Sequence, residues 1–84
     1  MAKVLLAPEA QAEYLNLPAV MQARVDDVFA RLENWPTVSG AKALRHEWKG
    51  HYRIRTGDWR VIFREVRPNV LVVRIKHRSE VYED

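Results

Sequence analysis

The chain has no cysteine, so neither a disulfide framework nor a thiolate metal site can form. Its apolar runs fall far short of the roughly 20 residues a membrane-spanning helix needs, and the N-terminus lacks a signal-peptide pattern. These absences lead us to expect a cytoplasmic protein with no membrane association. Glycine and proline are sparse, at three and four residues, so each marks a turn or an element boundary. Acidic residues are scarce in one region above all. Residues 42–78 hold eleven Lys or Arg against Glu47, Asp58 and Glu65, and they also contain His46, His51 and His77. No spacing of histidines with carboxylates suggests a metal site, and no cofactor is expected.

What is present fits one small folded domain spanning residues 1–84, with 48% hydrophobic residues. The net charge of +3 conceals an asymmetry. Residues 1–41 carry three basic residues (Lys3, Arg24, Arg31) against five acidic ones. The positive charge is therefore gathered in the second half, as for an electrostatic footprint on nucleic acid.

Residues 3–7 (KVLLA) read as a short strand. Pro8 suits the first position of a helix, where its missing N–H would have no partner anyway. Residues 9–16 form the rest of that first helix, and Leu17-Pro18 breaks it. A second helix follows over residues 18–34, with Val25, Val28, Phe29 and Leu32 on one stripe, and Trp35-Pro36 ends it. Residues 37–50 read as a loop in which residues 44–48 are a candidate short strand. The expected order is β-α-α-β-β-β, an α+β domain whose N-terminal αα-hairpin packs on one face of an antiparallel sheet.

Gly57-Asp58 lies between two alternating runs and suits a two-residue hairpin turn. That turn pairs Tyr52 with Phe63, Arg53 with Ile62, Ile54 with Val61, Arg55 with Arg60 and Thr56 with Trp59. Arg67-Pro68-Asn69 reads as a three-residue loop with Asn69 left-handed. It would pair Val66 with Val70, Arg64 with Val72, Phe63 with Val73, Ile62 with Arg74, Val61 with Ile75 and Arg60 with Lys76. Opposed residues share a face. One face then holds Tyr52, Ile54, Val61, Phe63, Val73 and Ile75. The other holds Arg53, Arg55, Arg60, Arg64, Arg74 and Lys76, interrupted by Ile62 and Val72. Like charges directly across a ladder are destabilising, so this alignment makes sense if a polyanion lies on it.

The run YRIR, GDWRVIF, a strand of valines and HRSEVY resembles the RelE/ParE toxin superfamily, and its RelE-type branch in particular. The resemblance covers nearly the whole chain, including the Leu17-Pro18 junction; Tyr14 stands where the family often has leucine. It implies the toxin of a toxin–antitoxin pair. RelE-type members enter the ribosomal decoding site and cut messenger RNA there, whereas ParE-type members poison DNA gyrase. The implied partners are a cognate antitoxin, the ribosome and its mRNA, with operator DNA reached only through the antitoxin complex. A degenerate toxin that merely binds its antitoxin is a third possibility, kept open by Lys76.

Metal-free RNA cleavage needs a base for the 2′-OH, cations for the phosphorane and an acid for the 5′-oxygen. The resemblance makes Tyr82 the proposed general base. It places Arg53, Arg55 and Arg60 around the scissile phosphate, and Lys76 where an arginine can serve as the acid. Arg64, Arg74, Arg78 and His51 are candidate RNA contacts. His51 is a second candidate for proton transfer, opposite Arg64 on the basic face. His77 is expected to stack on Trp59, although it too stays open as the acid. Trp35 is expected in the core.

Overall fold

The computed structural model describes residues 1–81, so Tyr82 lies outside the described residues. Pro8 does open the first helix, α1 (Pro8–Leu15), directly after β1 (Val4–Leu6). Asn16 caps its end, and α2 (Ala19–Leu32) begins just past Pro18. The remaining strands are β2 (Lys42–Ala43), β3 (Tyr52–Thr56), β4 (Trp59–Val66) and β5 (Asn69–His77). They form one five-stranded sheet in the order β1-β5-β4-β3-β2. The sheet is antiparallel except at one edge, where β1 runs parallel to β5.

Two short elements differ from the sequence reading. The strand expected over residues 44–48 is instead a 3-10 turn at His46–Trp48. The strand in this loop is Lys42–Ala43, which pairs with Arg53 and Tyr52. A left-handed His46 (φ 57°) breaks the extension between them.

The β3–β4 register is the one the Gly57-Asp58 turn dictates at all five pairs. Gly57 adopts φ 60°, as such a turn requires. The β4–β5 register holds at Arg60↔Lys76, Val61↔Ile75 and Ile62↔Arg74, but not beyond. There Phe63 pairs with Val72, Arg64 with Leu71, Glu65 with Val70 and Val66 with Asn69. The turn is thus two residues, Arg67-Pro68, and Asn69 belongs to the strand. The extra residue assigned to the turn sits instead as a bulge at Val73. Its consequence is in the core: Val70 and Val72 are fully buried, and Val73 is only half-buried. Val72 therefore leaves the basic face, and Val73 leaves the core face.

The helices cover the sheet face that carries Ile54, Val61, Phe63, Val72 and Ile75. Ala10, Val25, Val28 and Leu32 meet them in one cluster, with Phe29 and Trp35 packed against it. Trp35 stands edge-on to Phe63 at 5.1 Å and to Tyr52 at 5.0 Å. Its indole N–H donates to Glu65 at 2.9 Å. At the helix junction the Tyr14 hydroxyl donates to Asp26 at 2.7 Å, and the ring packs on Phe29. That polar anchor ties Tyr14 of α1 to Asp26 of α2.

Candidate nucleic-acid interface

The face away from the helices holds two rows of side chains across three strands. Arg55, Arg60 and Lys76 occupy one row, and Arg53, Ile62 and Arg74 the next. Neighbouring strands lie about 4.8 Å apart, so each row spans roughly 10 Å. The ladder places these cations on one face, as the sequence implied, although two of them are little solvated. Arg53 is only 7% exposed and Arg60 9%. Ile62 is fully buried among them, outside the main core, where long cationic stems can cover apolar surface.

Burial fixes the two arginines. Arg53 Nη1 donates to the Gly40 carbonyl at 3.3 Å. Arg60 Nη1 donates to the carbonyls of Gly57 and Trp59 at 3.3 and 3.2 Å, which ties it to the hairpin tip. Arg55 and Arg64 are exposed. Arg64 pairs with Leu71, not Val72.

The other cations are held by acids. β1 stops opposite Val72, which leaves the rest of the β5 edge to α1. Glu13 fills that place: its carboxylate accepts from the Ile75 backbone N–H at 2.8 Å and from Arg74 Nη2 at 2.8 Å. Lys76 Nζ lies 3.5 Å from Glu13 Oε2 and 3.4 Å from Glu80 Oε2. Burial disfavours the Glu13 charge, but the Arg74 and Ile75 hydrogen bonds and the fields of Arg74 and Lys76 outweigh it. They hold the carboxyl below its ordinary range. The Glu13 hydrogen bond in turn raises the Arg74 pKa, against the opposing effect of burial.

A lowered Glu13 pKa is a stability term with a definite sign. It is present above the unfolded value of about 4.3 and is lost as pH falls through the folded one. Glu65, lowered by the Trp35 and Arg67 hydrogen bonds, acts in the same direction. Denaturant unfolding between pH 6 and 3 should therefore show stability falling below about pH 4. Glu13→Gln should flatten that fall, leaving a smaller slope from Glu65. An unchanged slope would mean that the Glu13 contacts do not persist in solution.

The C-terminal side closes over the hairpin tip. A 3-10 turn at Arg78–Glu80 follows β5, and the Arg78 N–H donates to the Asp58 carbonyl at 2.7 Å. The His77 side chain accepts from the Ser79 N–H, and the His77 N–H donates to Glu80. His77 faces Trp59 as the register implied, but the rings meet edge-on at 5.4 Å and do not stack. His51 lies one residue outside β3, so no ladder pair links it to Arg64. Its ring meets Trp48 edge-on at 5.5 Å, and its buried Nδ1 has no hydrogen-bond partner among the described residues. Also among the described residues, no group of three or more His, Asp or Glu could hold a metal ion.

Sequence reasoning missed Glu13, Glu80 and Arg24. Glu13 is 61 residues from Arg74, and nothing local marks it. Glu80 stands inside the HRSEVY segment but reads there as a tail acid. Arg24 of α2 comes beside Gly57, where a Cβ would sit 3.4 Å from its guanidinium.

This arrangement is a preoriented cationic surface, able to bind a phosphodiester and to stabilise added negative charge on it. Residues 4–82 match the family model described as ParE toxin of type II toxin–antitoxin system, parDE. The chain is 31% identical over 67 residues to Toxin RelG of Mycobacterium tuberculosis, covering 77% of this chain and 76% of that protein. A chain of the toxin–antitoxin complex RelBE2 of Mycobacterium tuberculosis superposes with TM-score 0.76 at 28% identity, covering 92% of this chain and 98% of that one. YafQ of E. coli shares the fold, with TM-score 0.74 at 12% identity over 98% of this chain and 99% of its own.

Proposed function

The chain belongs to the ParE toxin family, within the RelE/ParE superfamily of type II toxin–antitoxin toxins, and from its cationic sheet face and its likeness to Toxin RelG we propose that it is a ribosome-dependent endoribonuclease. It cuts mRNA at the decoding site and so inhibits translation. The observation that carries this reading is the row of Arg55, Arg60 and Lys76 on facing ladder positions, with Arg60 held nearly buried at its centre.

Tyr82, as phenolate, takes the proton of the 2′-OH, whose oxygen attacks the adjacent phosphorus. A tyrosine's ordinary pKa of about 10 makes stabilisation of the phenolate by cations a requirement of that role. Arg60, Arg55 and Arg53 neutralise the charge that builds on the phosphorane. The bond to the 5′-oxygen then breaks as that oxygen gains a proton from Lys76, with His51 and His77 as the alternative donors. Arg64, Arg74 and Arg78 extend the contact along the strand.

A cognate antitoxin holds the protein inactive, as the complexes formed by its structural relatives suggest. Operator DNA is reached only through that complex. No helix among the described residues is long and apolar enough to cross a membrane, in keeping with action on cytoplasmic ribosomes.

The second reading, inhibition of DNA gyrase, is favoured by the family model that matches. The two separate on purified components. Wild-type protein should cut a message on programmed ribosomes and spare it when naked. Tyr82→Phe should reduce cutting by about two orders of magnitude or more, the usual worth of a general base. Full activity in that variant would remove Tyr82 from the mechanism.

A further inference from the structure

We infer that Glu13 of α1 is a positioning residue for RNA cleavage, holding the Lys76 ammonium at the end of the Arg55–Arg60–Lys76 row. The inference rests on the nuclease reading of this face.

Lys76 needs such a device. A lysine carries its charge on a flexible stem and lacks the fixed fork of a guanidinium. Its ammonium is nevertheless placed, because two carboxylates converge on it from different elements, Glu13 at 3.5 Å and Glu80 at 3.4 Å. Glu80 is half exposed and sits on a single 3-10 turn, whereas the Glu13 side chain is only 23% exposed. Glu13 is also the better anchored of the two. One oxygen is fixed by the Ile75 backbone N–H, and the other by Arg74. The acid is therefore registered to β5 itself, between the two cations it serves.

The same carboxylate places a negative charge beside a surface meant for phosphates, which costs RNA affinity. A group that weakens binding while it fixes a reacting cation gives an unusual kinetic signature. Removing the charge should speed association with RNA and slow the chemistry.

Glu13→Gln keeps a carbonyl to accept from Ile75 and removes the charge that holds Lys76. On programmed ribosomes its kcat should fall by about tenfold to a hundredfold, as for a misplaced reacting group, while KM stays level or drops. A non-cleavable 2′-deoxy oligonucleotide should bind the variant about threefold more tightly at low salt. In NMR spectra of ¹⁵N-labelled protein, the Lys76 ammonium resonance should be seen in the wild type and lost in the variant. Should the variant not fold, Glu80→Gln gives the same answer: the Lys76 resonance should survive loss of the Glu80 carboxylate, and its disappearance would assign the ammonium to Glu80 and not to Glu13.

Loss of cleavage and RNA binding together would make Glu13 a structural cap on the β5 edge and overturn the inference. So would a variant that cleaves at the wild-type rate, or a Lys76 resonance indifferent to Glu13. A wild type that cuts no message on ribosomes would overturn the nuclease reading and this inference with it.

Discussion

Arg60→Ala is expected to lower ribosome-dependent cleavage by about a hundredfold to a thousandfold, the cost of removing one preorganised donor from a developing oxyanion. Arg60 stands between Arg55 and Lys76 across the sheet, so it is the middle cation of that row. Its guanidinium is held by the carbonyls of Gly57 and Trp59, and little of the side chain reaches solvent. The orientation is therefore set in the folded protein itself, and on the nuclease reading that preorganisation is where much of the group's catalytic advantage would come from. Arg60→Lys should recover little, because an ammonium cannot hold a carbonyl and two phosphate oxygens in one plane. RNA binding should weaken as well, with the salt slope reduced by about one. Retained cleavage with an unchanged salt slope would mean that Arg60 only braces the hairpin tip.

Phe63→Ala should produce the largest change in stability, about 3–5 kcal/mol by the usual cost of deleting a buried aromatic side chain. Phe63 is fully buried, stacked on Tyr52 at 5.6 Å and met edge-on by Trp35. It lies on β4, the central strand of the sheet, so no neighbour can move in to fill the space without disturbing two ladders. Domains of this size have about 5–15 kcal/mol in total. The variant should therefore have a much lower urea midpoint and lose toxicity through depletion of folded protein. A loss under about 1 kcal/mol would show that the aromatic trio is not packed as described.

Much of the interface was legible because one turn fixes it. Gly57-Asp58 admits a single tight register, and alternation then sends Arg55 and Arg60 to the same face. The register failed on the far half of β4–β5 for an equally physical reason. Residues 70–73 are apolar throughout, so alternation gives no preference between Val72 and Val73 for the core. An extra residue placed in the turn or in a bulge fits the sequence equally well, and burial of Val70 and Val72 decides between them. β2, at two residues, is too short to leave a periodic signal. Glu13 was invisible for a third reason: its role exists only because β1 stops early and α1 inherits the free edge of β5, a non-local fact that spacing does not encode.

We propose that this cationic sheet face cuts RNA on the ribosome. It is tested most directly by inducing the protein without an antitoxin and mapping the ends of a translated message by primer extension. New ends should be confined to ribosome-occupied codons and absent from a matched message that lacks a start codon. Growth arrest with the message intact and its ends unchanged would contradict it, and would move the target from the ribosome to DNA gyrase.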